Sequence, residues 1–142
     1  MNIKSEADLH KLLLDRLAKD PRVHNAKIIH GTHEYGVDII FDYDDPFQQT
    51  LRCGIQVKIN DIDSSKAKEI LGQLAVAFGH KYSRRHATHL DIVYVITNGH
   101  IVQPADEMIG SANVGFRNVI FIEGDGLELF LGGQSLDFTK ET

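Results

Sequence analysis

The chain is poor in cysteine: Cys53 stands alone among 142 residues. A lone cysteine excludes an internal disulfide and suits a reducing compartment, so a cytoplasmic location is expected. With no Cys-x-x-Cys pair, a structural zinc site loses its usual framework. No apolar run approaches the roughly 20 residues needed to span a bilayer, and the first residues lack a signal-peptide pattern. Internal repeats and low-complexity tracts are missing too. Cations are outnumbered, 15 Lys and Arg against 20 Asp and Glu, for a net charge of −5. That balance argues mildly against indiscriminate nucleic-acid binding.

What remains is an ordinary globular composition, 42% hydrophobic and 25% charged, at a length typical of one core. One domain is expected over residues 1–136, with 137–142 as a polar tail or linker. Ser5 reads as the N-cap of a first helix, with Asp8 as its capping-box partner. Leu9, Leu12, Leu13, Leu14 and Leu17 then follow at helical spacing. Glu6 falls on the same face, where an acid is costly unless paired or metal-bound. A plain helix-end role in the macrodipole is the alternative. A short first strand is expected at 26–29, and a second long helix from Ser64 to about Tyr82. That helix should bury Ala67, Ile70, Leu71, Leu74 and Phe78, leaving Lys66, Glu69, Gln73 and His80 on its far side. Gly72 within it suggests close packing. The near-continuous apolar run 90–96 reads as a central strand. A helix at 103–112, a strand at 118–123 and a short helix at 127–131 complete the order. The pattern predicts an α/β sandwich with a mixed central sheet.

The most informative stretch is 36–58. Gly36-Val37-Asp38-Ile39-Ile40-Phe41 and Arg52-Cys53-Gly54-Ile55-Gln56-Val57-Lys58 flank a polar turn that contains Pro46, which reads as a β-hairpin. Gln56 and Lys58 are two apart and leave one face of their strand, and an antiparallel neighbour can bring Asp38 to it. A carboxylate, an amide and a lysine so placed can hold Mg²⁺ and its waters and offset charge on a phosphate. The plainer alternative makes Asp38 a turn residue and Lys58 a solvated strand residue. Residues 80–89, with Lys81, Arg84, Arg85, three histidines and no acid, read either as a solvated loop or as a phosphate-contacting edge. His30 and His33 with Asp38 form a weaker zinc alternative.

The pair Gly36-Val37-Asp38 and Gln56-Val57-Lys58 resembles the G-x-D…Q-x-K signature of the Mrr-like branch of the PD-(D/E)XK nuclease superfamily. The likeness extends to the leading helix, to Gly72-Gln73-Leu74 and to Val95-Ile96-Thr97-Asn98. It closes on the final strand with Asp125-Gly126-Leu127-Glu128-Leu129. The resemblance implies a three-layer α/β/α, restriction-endonuclease-like fold and a Mg²⁺-dependent endonuclease in which Mn²⁺ can substitute. Asp38 would be the main metal ligand, joined by the Val57 carbonyl, Gln56 and Glu6. Lys58 would position the attacking water. His10 occupies a second aligned position for the helix acid, and Glu34 lies in the loop where the family is acid-rich. DNA would be the substrate, and on the phosphate-edge reading of the cationic run 80–89, Lys81, Arg84 and Arg85 would contact it. A homodimer or higher oligomer, and service as an effector domain in restriction or antiviral defence, are also implied. The competing expectation is a nucleic-acid-binding or scaffolding module of the same fold that has lost catalysis.

Overall fold

The computed structural model describes residues 3–29, 36–79, 89–112 and 118–133. Helix α1 (Glu6–Ala18) starts where the Ser5 hydroxyl accepts the Asp8 amide at 3.2 Å, as its capping motif predicts. Strands β1 (Val23–Ile28), β2 (Ile39–Asp44) and β3 (Thr50–Lys58) follow. Then come α2 (Ser64–Gly79), β4 (Ile92–Thr97), α3 (Gln103–Ala112), β5 (Val119–Ile122) and α4 (Gly124–Leu131).

The five strands form one mixed sheet in the order β1-β2-β3-β4-β5. The first three run antiparallel, while β4 and β5 continue parallel to β3. The β2–β3 hairpin therefore lies inside the sheet. Alternation along the strands divides the core in two. On one face Ile39, Phe41, Ile55, Val57, Tyr94 and Ile96 meet Leu9, Leu13 and Leu17 of α1 and Leu127 and Phe130 of α4. On the other, Ile40, Val93 and Val95 meet Ile70 and Leu74 of α2 and Ala105 and Ile109 of α3. Each buried aliphatic side chain here contributes about 1.5–3 kcal/mol relative to exposure. Two helices thus cover each face of the sheet.

Three local expectations are corrected. The first strand begins at Val23, three residues earlier than its apolar run, because a register break between His24 and Lys27 carries the polar residues into the pairing. Asn25, at φ 57°, occupies that bulge. Gly72 is exposed, and a side chain there would meet open space, so close packing does not explain it. The long helix buries Ala77, whereas Leu71 and Phe78 are only partly covered.

Candidate functional site

Asp38 sits one residue before β2 and is held by its backbone on both sides. Its N–H donates to the Ile55 carbonyl at 2.7 Å, and its own carbonyl accepts from the Ile29 amide at 2.9 Å. Gly36 makes the approach possible. Its φ of +78° is a left-handed conformation open to glycine, and a Cβ there would overlap the backbone carbonyl of Gln73 on α2. The glycine of the G-x-D motif therefore serves the turn and the close contact together.

The side chain of Asp38 turns onto the neighbouring strand. Its Oδ2 accepts the backbone amide of Val57 at 2.8 Å, and it stands 3.6 Å from His10 Nε2 on α1. That second separation is too long for a hydrogen bond. Oδ1 makes no hydrogen bond among the described residues.

Gln56 is buried, at 3% exposure, and faces α2. Its Nε2 donates to Oε1 of Gln73, whose own Nε2 donates to Glu69 Oε1 at 3.4 Å. Lys58 Nζ reaches the same Glu69 oxygen, also at 3.4 Å. Lys58 is mostly covered while Glu69 is more than half exposed, so the pair is water-accessible at its acid end. Surface pairs of this kind contribute little and are easily exchanged. The remaining amide oxygen, Gln56 Oε1, is buried without a hydrogen-bond partner among the described residues, as is His10 Nε2. Leaving such an atom unsatisfied costs about 1–3 kcal/mol.

These groups converge on one cleft of about 310 Å³, lined by Glu6, Gly36, Val37, Asp38, Gln56, Val57, Lys58, Glu69 and Gln73. All of Asp38, Gln56, Val57, Lys58 and Glu6, chosen from the sequence, line it. Lys81, Arg84 and Arg85 lie outside the described residues, as do His30, His33 and Glu34. The helical pattern puts Glu69 and Gln73 on the far side of α2, but they border the cleft. The available signal was their own i, i+4 spacing and the position of Gln73 three residues after the core residue Ile70.

No family model, curated protein or solved structure matches this chain. The chemistry of the donors must carry the functional reading. Among the described residues no group of three His, Cys, Asp or Glu side chains gathers as a metal cage. Mg²⁺ does not need one: it is commonly held by one or two carboxylates, with waters and substrate phosphates filling the remaining positions. The Asp38 carboxylate, the unsatisfied Gln56 oxygen and the nearby Glu6 are hard oxygen donors that fit such an ion.

Proposed function

We propose that this chain is a metal-dependent endonuclease of the Mrr-like, restriction-endonuclease type, with DNA phosphodiesters as its substrate. The observation that carries the proposal is the meeting of Asp38, Gln56, Lys58 and Glu6 at one cleft, with a buried amide oxygen in need of a partner. Asp38 would hold the ion through its free oxygen, with Gln56, the Val57 carbonyl and Glu6 completing or hydrating the site. A bound Mg²⁺ or Mn²⁺ would supply Lewis-acid polarisation of the phosphate and a water of lowered pKa. Lys58 would leave its loose contact with Glu69 to hold the attacking water and offset the charge growing on the phosphate. Work in restriction or antiviral defence, as a homodimer or as an effector domain of a larger protein, belongs to the same proposal.

A second reading, a module of this fold without catalysis, draws on two contacts. Lys58 is paired with Glu69, and Asp38 commits one oxygen to Val57. Cleavage of supercoiled plasmid with Mg²⁺, Mn²⁺ or EDTA separates the two. Nicking that needs metal, is stopped by EDTA and falls at least about a hundredfold in Lys58→Ala supports the nuclease. Intact plasmid under every metal condition, with DNA still bound, transfers support to the module.

A further inference from the structure

The line from Glu69 through Gln73 to Gln56 has a direction. An amide side chain can present either its oxygen or its NH₂ group to a neighbour, and its neighbours decide which. A carboxylate decides absolutely, because when ionised it only accepts. Glu69 therefore draws the NH₂ group of Gln73, at 3.4 Å. This turns the Gln73 oxygen toward the sheet, where it takes the NH₂ group of Gln56. The last amide in the line is left with its oxygen buried and without a partner among the described residues, on a residue that lines the cleft holding Asp38. Reversing any link would present an NH₂ group there, which repels a cation.

We infer that Glu69 and Gln73 are positioning residues that fix the amide of Gln56 with its oxygen as an acceptor for a divalent cation. The inference deepens the nuclease reading and rests on it. Hydrogen-bonded amides in series polarise one another, so the anionic end also makes the terminal oxygen a better donor to a positive ion. A glutamine at this position then does part of the work of a carboxylate while remaining neutral. Its orientation, which a carboxylate with two equivalent oxygens would not need, is supplied from α2. The short reach from helix to hairpin required for this is maintained at Gly36, where the loop backbone lies against the Gln73 carbonyl.

The test is Mn²⁺ affinity by calorimetry on the whole chain, with circular dichroism to verify folding. Gln73→Leu removes the acceptor that holds the Gln56 amide, and affinity should fall about tenfold, as for other outer partners of metal ligands. Gln73→Glu keeps an acceptor toward Gln56 Nε2 and should retain wild-type affinity or better. In a Gln56→Glu background no amide needs orienting, so adding Gln73→Leu should leave Mn²⁺ affinity unchanged. Because Gln73 is partly buried, Glu69→Gln provides a change at an exposed position that does not threaten the fold, and it should weaken binding in the same direction. Equal affinities in wild type, Gln73→Leu and Glu69→Gln would overturn the inference while leaving the metal site standing. An equal loss with and without Gln56→Glu would reduce Gln73 to a packing role and also overturn it. Absence of any Mn²⁺ binding in the wild type would overturn both this inference and the nuclease reading.

Discussion

The two ends of the central hairpin are built from similar residues and treated in opposite ways. At the turn end, every acid makes short hydrogen bonds or ion pairs, and Asp42 and Asp44 use both oxygens. Asp42 takes Arg52 Nε at 2.9 Å and Asn25 Nδ2 at 3.0 Å, and Asp44 takes His24 at 2.7 Å and Thr50 at 3.0 Å. Asp45 caps the turn by accepting the amides of Phe47 and Gln49, and Asp91 accepts the Arg52 amide at 2.8 Å. At the other end Asp38 keeps one short bond, to the Val57 amide at 2.8 Å, and Gln56 keeps one to Gln73. The remaining side-chain contacts there lie at 3.4–3.6 Å, and Gln56 Oε1 and His10 Nε2 are buried with no hydrogen-bond partner among the described residues. Closed networks hold a fold together, whereas half-satisfied ones are costly and need a reason. The difference separates the acids that close the turn from Asp38, which keeps one oxygen without a hydrogen bond among the described residues.

The largest expected effect is at Asp38. Asp38→Asn keeps an acceptor for the Val57 amide and removes the charge, so Mn²⁺ binding by calorimetry and plasmid cleavage should both be lost with little change in stability. Asp38→Ala should add about 1–3 kcal/mol of destabilisation by orphaning that amide. Unchanged Mn²⁺ affinity in Asp38→Asn would move the ion elsewhere and erase the contrast between the ends. Next comes Asp42→Ala, which strands Arg52 and Asn25. Urea unfolding should show a loss of about 1–3 kcal/mol, with metal affinity untouched. Cys53 sharpens the contrast from the core. Burial pushes its thiol well above the ordinary range, with the nearby Asp91 and Asp42 charges adding to the effect. Alkylation by iodoacetamide should therefore be negligible in native protein and rapid in urea.

A smaller effect is expected at Asp44, whose carboxyl is held below its usual value by hydrogen bonds from His24 and then Thr50. A lowered native value means that this stabilisation is present above the unfolded value of 3.8 and is lost as pH falls through the folded one. Thr50→Val should therefore make acid unfolding below that point less steep, measured as midpoint denaturant concentration against pH. The effect should be slight, because the site is exposed.

Much of this was legible in the residues. The hairpin followed from β-branched and aromatic runs around a polar turn, and the run at 90–96 from its near-unbroken apolarity. The capping signal at Ser5 was local, so its reading needed no tertiary context. The bulge at Asn25 was not visible, because polar residues in an edge strand look like loop until their pairing is known. The place of Glu69 and Gln73 escapes the helical pattern for a geometric reason. A helical stripe tells which residues face the core, but not where the sheet beneath them ends. Gln73 lies at the margin of the stripe formed by Ile70, Leu74 and Ala77, over the open end of β3, where a polar residue is in place. Likewise the approach of His10 to Asp38 depends on how α1 crosses the sheet, which spacing alone does not fix.

The bulge in β1 also bears on how copies of this chain meet. Its sheet has two margins, and among the described residues neither offers a long, flat ladder of unpaired backbone groups. β1 is broken in register at His24 and Lys27 and exposes both of those polar side chains, while β5 is only four residues long. Short, kinked or lysine-bearing borders of this kind resist the docking of another strand. Growth of the sheet from molecule to molecule, the first step toward fibrous aggregation, is thereby discouraged.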